Sequence, residues 1–101
     1  MPVLSFRREV YDDVQKGYLW YESRRFGLGE DFLLMLEESY ARIVSNPQHY
    51  PIIYQNVRRK LIRRFPYSIF FIQHTDKIIV LAVLHTRQSP KIWQKRTKEV
   101  P

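Results

Sequence analysis

Residues Ile78 to His85 read Ile-Ile-Val-Leu-Ala-Val-Leu-His, a near-continuous apolar run. A run this short, bounded by turn residues, marks a central strand covered on both faces. It falls well short of the roughly 20 residues that a membrane-spanning helix needs. A strand buried on both sides requires partner strands along its edges and side-chain layers above and below it. The remaining sequence must supply all of these, and 101 residues leave room for one domain, residues 1–101.

The partner strands lie just before it. Tyr67 to His74 is aromatic and β-branched, and Thr75-Asp76-Lys77 reads as the hairpin loop joining the two. Leu61 to Phe65 interleaves arginine with Leu61, Ile62 and Phe65 and reads as a third strand, ending or bulging at Pro66. Tyr50 to Asn56, with Pro51, reads as a loop. At the other end, Val3 to Phe6 is a short first strand. Between them the period changes. Val10, Val14, Tyr18 and Tyr21 form one stripe of a helix over Arg8 to Ser23. Gly27 and Gly29 bracket a turn. Glu30 and Asp31 open a second helix, with Phe32, Leu33, Leu36, Tyr40, Ile43 and Val44 on its apolar side, closed by Asn46-Pro47. Ser89-Pro90 starts a short C-terminal helix through Trp93. The expected fold is α+β. It has a short first strand, a two-helix hairpin, a three-strand antiparallel meander and a short C-terminal helix, with the helices packed on one face of the sheet.

Composition narrows the chemistry. There is no cysteine, which excludes a disulfide scaffold, a thiolate nucleophile and a cysteine zinc site. His49, His74 and His85 show no ligand spacing, so neither a metal nor a cofactor is expected. Met1 to Val10 has no apolar signal core, and the cytoplasm is the default compartment. The net charge is +7, which suits an acidic partner. Of the ten acids, only Asp76 and Glu99 lie after residue 40, whereas Arg58, Arg59, Lys60, Arg63, Arg64, Arg87 and Lys91 all do. An acidic-leaning layer and a basic face are expected.

Arg63-Arg64-Phe65-Pro66-Tyr67-Ser68-Ile69-Phe70-Phe71, then Ile79 to Arg87, then Pro90 and Trp93, resemble the RelE/ParE superfamily of bacterial toxins. The Arg-Phe-Pro-Tyr and Val-Leu-His-x-Arg stretches carry most of the likeness. The first strand, helical hairpin and Asn46-Pro47 stop also fit, so it covers nearly the whole chain. Gln88 stands where many relatives carry a second arginine, and no tyrosine follows Tyr67. The resemblance implies the toxin of a type II toxin–antitoxin module, neutralised by a cognate antitoxin, with DNA met only through that antitoxin. ParE-type members poison DNA gyrase without covalent chemistry. RelE-type members cut mRNA on the ribosome without a metal.

Each branch assigns residues. Metal-free cleavage would use Arg63 and Arg87 on the phosphate and His85 or Lys60 as base. A docking surface for target or antitoxin would draw on Arg58, Arg59, Arg64, Tyr67 and Trp93. Plainer roles stand beside these. Arg58 to Arg64 reads equally as the solvated face of an edge strand. His85 reads as a hydrogen-bonded structural histidine, Tyr67, Phe70 and Phe71 as core, and Trp93 as the pin of the last helix. The lack of a convincing acid–base pair favours the ParE branch.

Overall fold

In the computed structural model, which describes residues 2–98, the apolar run becomes β5 (Lys77–His85). Met1 and Glu99 lie outside the described residues. The order is β1 (Val3–Phe6), α1 (Glu9–Arg24), α2 (Leu28–Ser45), a 3-10 turn (Pro47–His49), β2 (Ile52–Tyr54), β3 (Val57–Leu61), β4 (Tyr67–His74), β5 and α3 (Pro90–Thr97). The sheet order is β1-β5-β4-β3-β2. β1 runs parallel to β5, and the other pairs are antiparallel. This is the expected α+β arrangement.

Three details differ from expectation. The antiparallel part has four strands, because Ile52–Tyr54 pairs with β3 where a loop is expected. β3 ends at Leu61, so Arg63 and Arg64 lie in the connection to β4. Arg64 adopts a left-handed backbone (φ 72°) just before Phe65-Pro66, and that conformation cannot continue a strand. The helices also divide between the faces. α1 and α2 cover one face over Phe32, Leu36, Ile43, Ile69, Phe71 and Val83. α3 covers the other, with Trp93 over Val57, Phe70, Ile72, Leu81 and Leu84.

A bulge lets β5 serve both layers. Phe70 pairs with Ala82 and Phe71 with Val80, leaving Leu81 as the extra residue. Leu81 and Ala82 both join the α3 layer, while Val80 and Val83 face the hairpin. The two hairpin helices approach closely at glycines. A Cβ at Gly17 would sit 2.8 Å from the Phe32 ring, and one at Gly29 would sit 2.8 Å from Tyr18. Only glycine permits these contacts without displacing an aromatic ring.

β1 covers only the first half of β5, ending with Phe6 opposite Val80. Beyond it, side chains replace a strand. The Val83 amide donates to Asp13 Oδ2 at 3.0 Å, and Arg96 Nη1 donates to the Leu81 carbonyl at 3.1 Å. The His85 amide donates to Gln88 Oε1 at 2.9 Å. Asp13 and Arg96 join in a two-pronged ion pair at 2.6 and 3.1 Å, with side chains 6% and 14% exposed. The pair thus ties α1, β5 and α3 together and closes an edge that otherwise invites another strand.

Breaking a buried pair leaves an uncompensated charge. Arg96→Met should therefore cost about 3–5 kcal/mol in equilibrium denaturation. The double variant Asp13→Asn/Arg96→Met should recover part of the loss, because the amide oxygen introduced at 13 still accepts from Val83. A cost below about 1 kcal/mol for Arg96→Met would show that the pair is not a fixed contact in solution.

Candidate partner-binding surface

Strand alternation sorts the basic residues of β3. Arg58 and Lys60 point to the hairpin side. Arg58 Nη1 donates to the Tyr50 carbonyl at 2.7 Å, and Lys60 Nζ lies 5.1 Å from the centre of the Tyr50 ring. Arg59 sits on the opposite face, beside Phe70 and Trp93 of the α3 layer. The expectation of one basic face is thus corrected. The period of two places neighbouring cations on different faces.

Several of the cations are held by carboxylates of α2. Arg63 Nη1 donates to Glu38 Oε1 at 3.1 Å, and Arg42 donates to the same oxygen at 3.2 Å. Arg64 lies 3.6 Å from Asp31. The hydrogen bond from Arg63 holds the Glu38 carboxyl below the usual carboxylate range. Lys60 is buried beside this group. Desolvation, and then Arg42, push its ammonium below the ordinary lysine value, while Glu38 acts the other way and Arg63 adds to the lowering.

His85 and Arg87 lie elsewhere, at the end of β5 and the start of the loop to α3. There the Arg87 amide donates to His85 Nδ1 at 3.0 Å. This fixes the neutral ring with its proton on Nε2. Tyr67 stands edge-on to the same ring, with centroids 5.4 Å apart. Tyr67 otherwise belongs to the core against Tyr21 and Phe32. Among the described residues no hydrogen bond, ion pair or ring contact joins Lys60 and Arg63 to His85 and Arg87. Trp93 is buried, stacked on Phe70 at 4.9 Å and 14°, with Tyr54 at its edge. It pins α3, as expected from the sequence.

The end of β5 separates two hollows. One, of about 460 Å³, lies between α1 and α3 and is lined by Trp20, Tyr67, Val83, His85 and Gln88 among others. The other, of about 110 Å³, opens on the α3 face. Sequence reasoning missed Asp13, Arg96 and Glu38. For Asp13 a signal exists. Positions 10, 13, 14 and 17 share one helical stripe, so an acid there is an acid facing the core.

This layering of a helical hairpin, a mixed sheet and a short last helix is that of the RelE/ParE toxin superfamily. The structure titled "Chromosomal ParDE TA system from P. aeruginosa" matches it with a TM-score of 0.72. The match covers 84% of this chain and 96% of that one at 19% identity, which is a likeness of fold. The sequence model described as "ParE toxin of type II toxin-antitoxin system, parDE" matches residues 4–90, and the chain belongs to that family. None of the curated proteins compared with it matches. No helix among the described residues is long and apolar enough to cross a membrane.

The setting of Lys60 has a measurable consequence. With its native value lowered from 10.5, the unfolded chain binds more protons between the native and unfolded values. Stability from this group should therefore rise with pH across that window. In a side-chain NMR titration, Lys60 should lose its proton below the ordinary lysine value of 10.5. Titration at that value would show that the burial is not felt.

Proposed function

We propose that this chain is a toxin that acts by binding DNA gyrase and is neutralised by a cognate, acidic antitoxin in the cytoplasm. The observation that carries this reading is the use of His85 Nδ1 by the Arg87 amide. A general base must have a free lone pair within reach of the proton that it takes. In His85 the acceptor nitrogen is occupied inside its own turn, and the other nitrogen bears a proton. Arg63, the second member of a cleaving set, already faces Glu38. The Lys60 ammonium is lowered by burial, yet it sits with Glu38 and Arg42, and among the described residues no hydrogen bond, ion pair or ring contact joins it to His85 or Arg87. Binding, with affinity drawn from apolar and hydrogen-bonded contacts, asks for none of these groups to turn over.

The alternative, a ribosome-dependent ribonuclease, makes a different set of residues indispensable. Purified toxin should abolish supercoiling by gyrase and leave ribosome-bound mRNA intact, and Arg87→Ala should leave mRNA untouched as well. Cleavage of mRNA that is lost by orders of magnitude in Arg87→Ala would replace this reading with the ribonuclease one. Inactivity in both assays, with antitoxin still bound, would mark a member that only binds. Antitoxin affinity should fall only moderately with salt, because charges mainly steer while apolar anchors hold. A steep fall, in proportion to phosphates neutralised, would indicate nucleic acid instead.

A further inference from the structure

The hollow on the α3 face is rich in donors and holds no carboxylate. Its polar rim consists of Arg59, Ser68, His85, Thr86 and Gln88. Gln88 can donate or accept, and the fold resolves it. Gln88 spends its carbonyl oxygen on the His85 amide, which leaves its NH2 group. The His85 ring lies on the hairpin side, edge-on to Tyr67, so His85 borders the hollow without adding its ring as a donor. Arg59 is exposed and makes no ion pair or side-chain hydrogen bond among the described residues. Ser68 is 1% exposed, lines the floor, and its hydroxyl has no hydrogen-bond partner. A buried hydroxyl without a partner is uncommon and costly, so it points to a missing hydrogen-bond partner, which a ligand oxygen can supply. Around these donors the walls are apolar, formed by Ile53, Phe70, Leu84 and Trp93.

From this donor set we infer that the hollow receives one carboxylate side chain, a glutamate or aspartate projecting from an acidic protein partner. This rests on the reading of the chain as an antitoxin-bound toxin and assigns the antitoxin an anchor point on it. Arg59 supplies the forked, charged donor that selects an anion over a neutral carbonyl. Ser68 and Gln88 occupy the remaining lone pairs, and the apolar walls pack the methylenes. The small size of the hollow, about 110 Å³, favours a side chain over a whole nucleotide. The cations on the neighbouring strand positions, Arg58 and Lys60, face the other side of the sheet and cannot extend a phosphate track. The net charge of +7 brings acidic partners to this surface.

The test uses the full chain, isotope-labelled, and the peptide acetyl-Leu-Glu-Leu-amide, with its glutamine counterpart and the dinucleotide uridylyl-uridine as comparators. The glutamate peptide should shift the amide signals of Arg59, Ser68, Thr86 and Gln88. The glutamine peptide should bind roughly tenfold more weakly, as loss of a charged hydrogen bond requires. Arg59→Ala should reduce the glutamate peptide to the glutamine level while the rest of the spectrum stays native. Equal affinity for the two peptides, no shifts at these four positions, or tighter binding of the dinucleotide would each overturn the assignment. Gyrase inhibition by the same preparation is read separately. A toxin inert toward gyrase that still discriminates the peptides refutes the proposed function and leaves the pocket standing, and the reverse result does the opposite.

Discussion

The ion pair between Asp13 and Arg96 holds the molecule in register. Through it the first helix, the central strand and the last helix are joined by side-chain hydrogen bonds. β5 has a partner strand along only half of its outer edge. Its remaining amides and carbonyls must find partners or water, because unpaired backbone groups in a buried strand are costly. Asp13, Arg96 and Gln88 meet Val83, Leu81 and His85 in turn. They leave little edge for a further strand to read, so the open side of the sheet lies at β2. The pair also determines where α3 sits, and hence that Trp93 covers Phe70. A buried charge pair adds less stability than an apolar contact of the same size. Its value here is that it admits only one arrangement of three elements.

Charge segregation along the chain becomes charge pairing across layers. The early acids and late bases are far apart in sequence, and folding sets Glu38 against Arg63, Asp31 against Arg64 and Asp13 against Arg96. The first two are solvent-screened contacts that stabilise little. They matter by removing arginines from the set available to a partner. A net charge of +7 therefore overstates the free basic surface on the hairpin side. Arg59, Arg87 and Lys91 on the α3 side and its approach loop have no carboxylate against them among the described residues.

How much of this was legible depended on whether one short-range pattern decided the outcome. The hairpin helices were readable because each carries a repeated period, and β4 and β5 because each is a run of apolar, aromatic and β-branched residues joined at a turn. β2 and β3 were not. Ile52–Tyr54 is three residues long and follows Pro51, too short for any period. β3 is Val57-Arg58-Arg59-Lys60-Leu61, whose charged middle hides its alternation. The left-handed residue that ends this region, Arg64, is one that sequence gives no reason to expect there. The second layer over the sheet was hidden for another reason. It depends on the bulge at Leu81, which exchanges the faces of the following residues and cannot be seen in a uniformly apolar run. Asp13 was the legible exception, an acid inside an apolar stripe.

The candidate residues themselves could be named from the sequence, but their roles could not, because role depended on which atoms the fold had already used. Histidine and glutamine can each donate or accept. In this chain the turn Thr86-Arg87-Gln88 closes on His85 from both ends, taking the ring nitrogen and the strand amide together. The Arg87 amide takes the acceptor nitrogen of His85, and the His85 amide takes the carbonyl oxygen of Gln88, which leaves the Gln88 NH2 group as a donor. An arginine at position 88 would offer no oxygen to the His85 amide. That amide would then be left for water or a ligand, and the loop would be free to present His85 differently. Gln88 is thus coupled, through a single backbone hydrogen bond, to the setting of the neighbouring histidine.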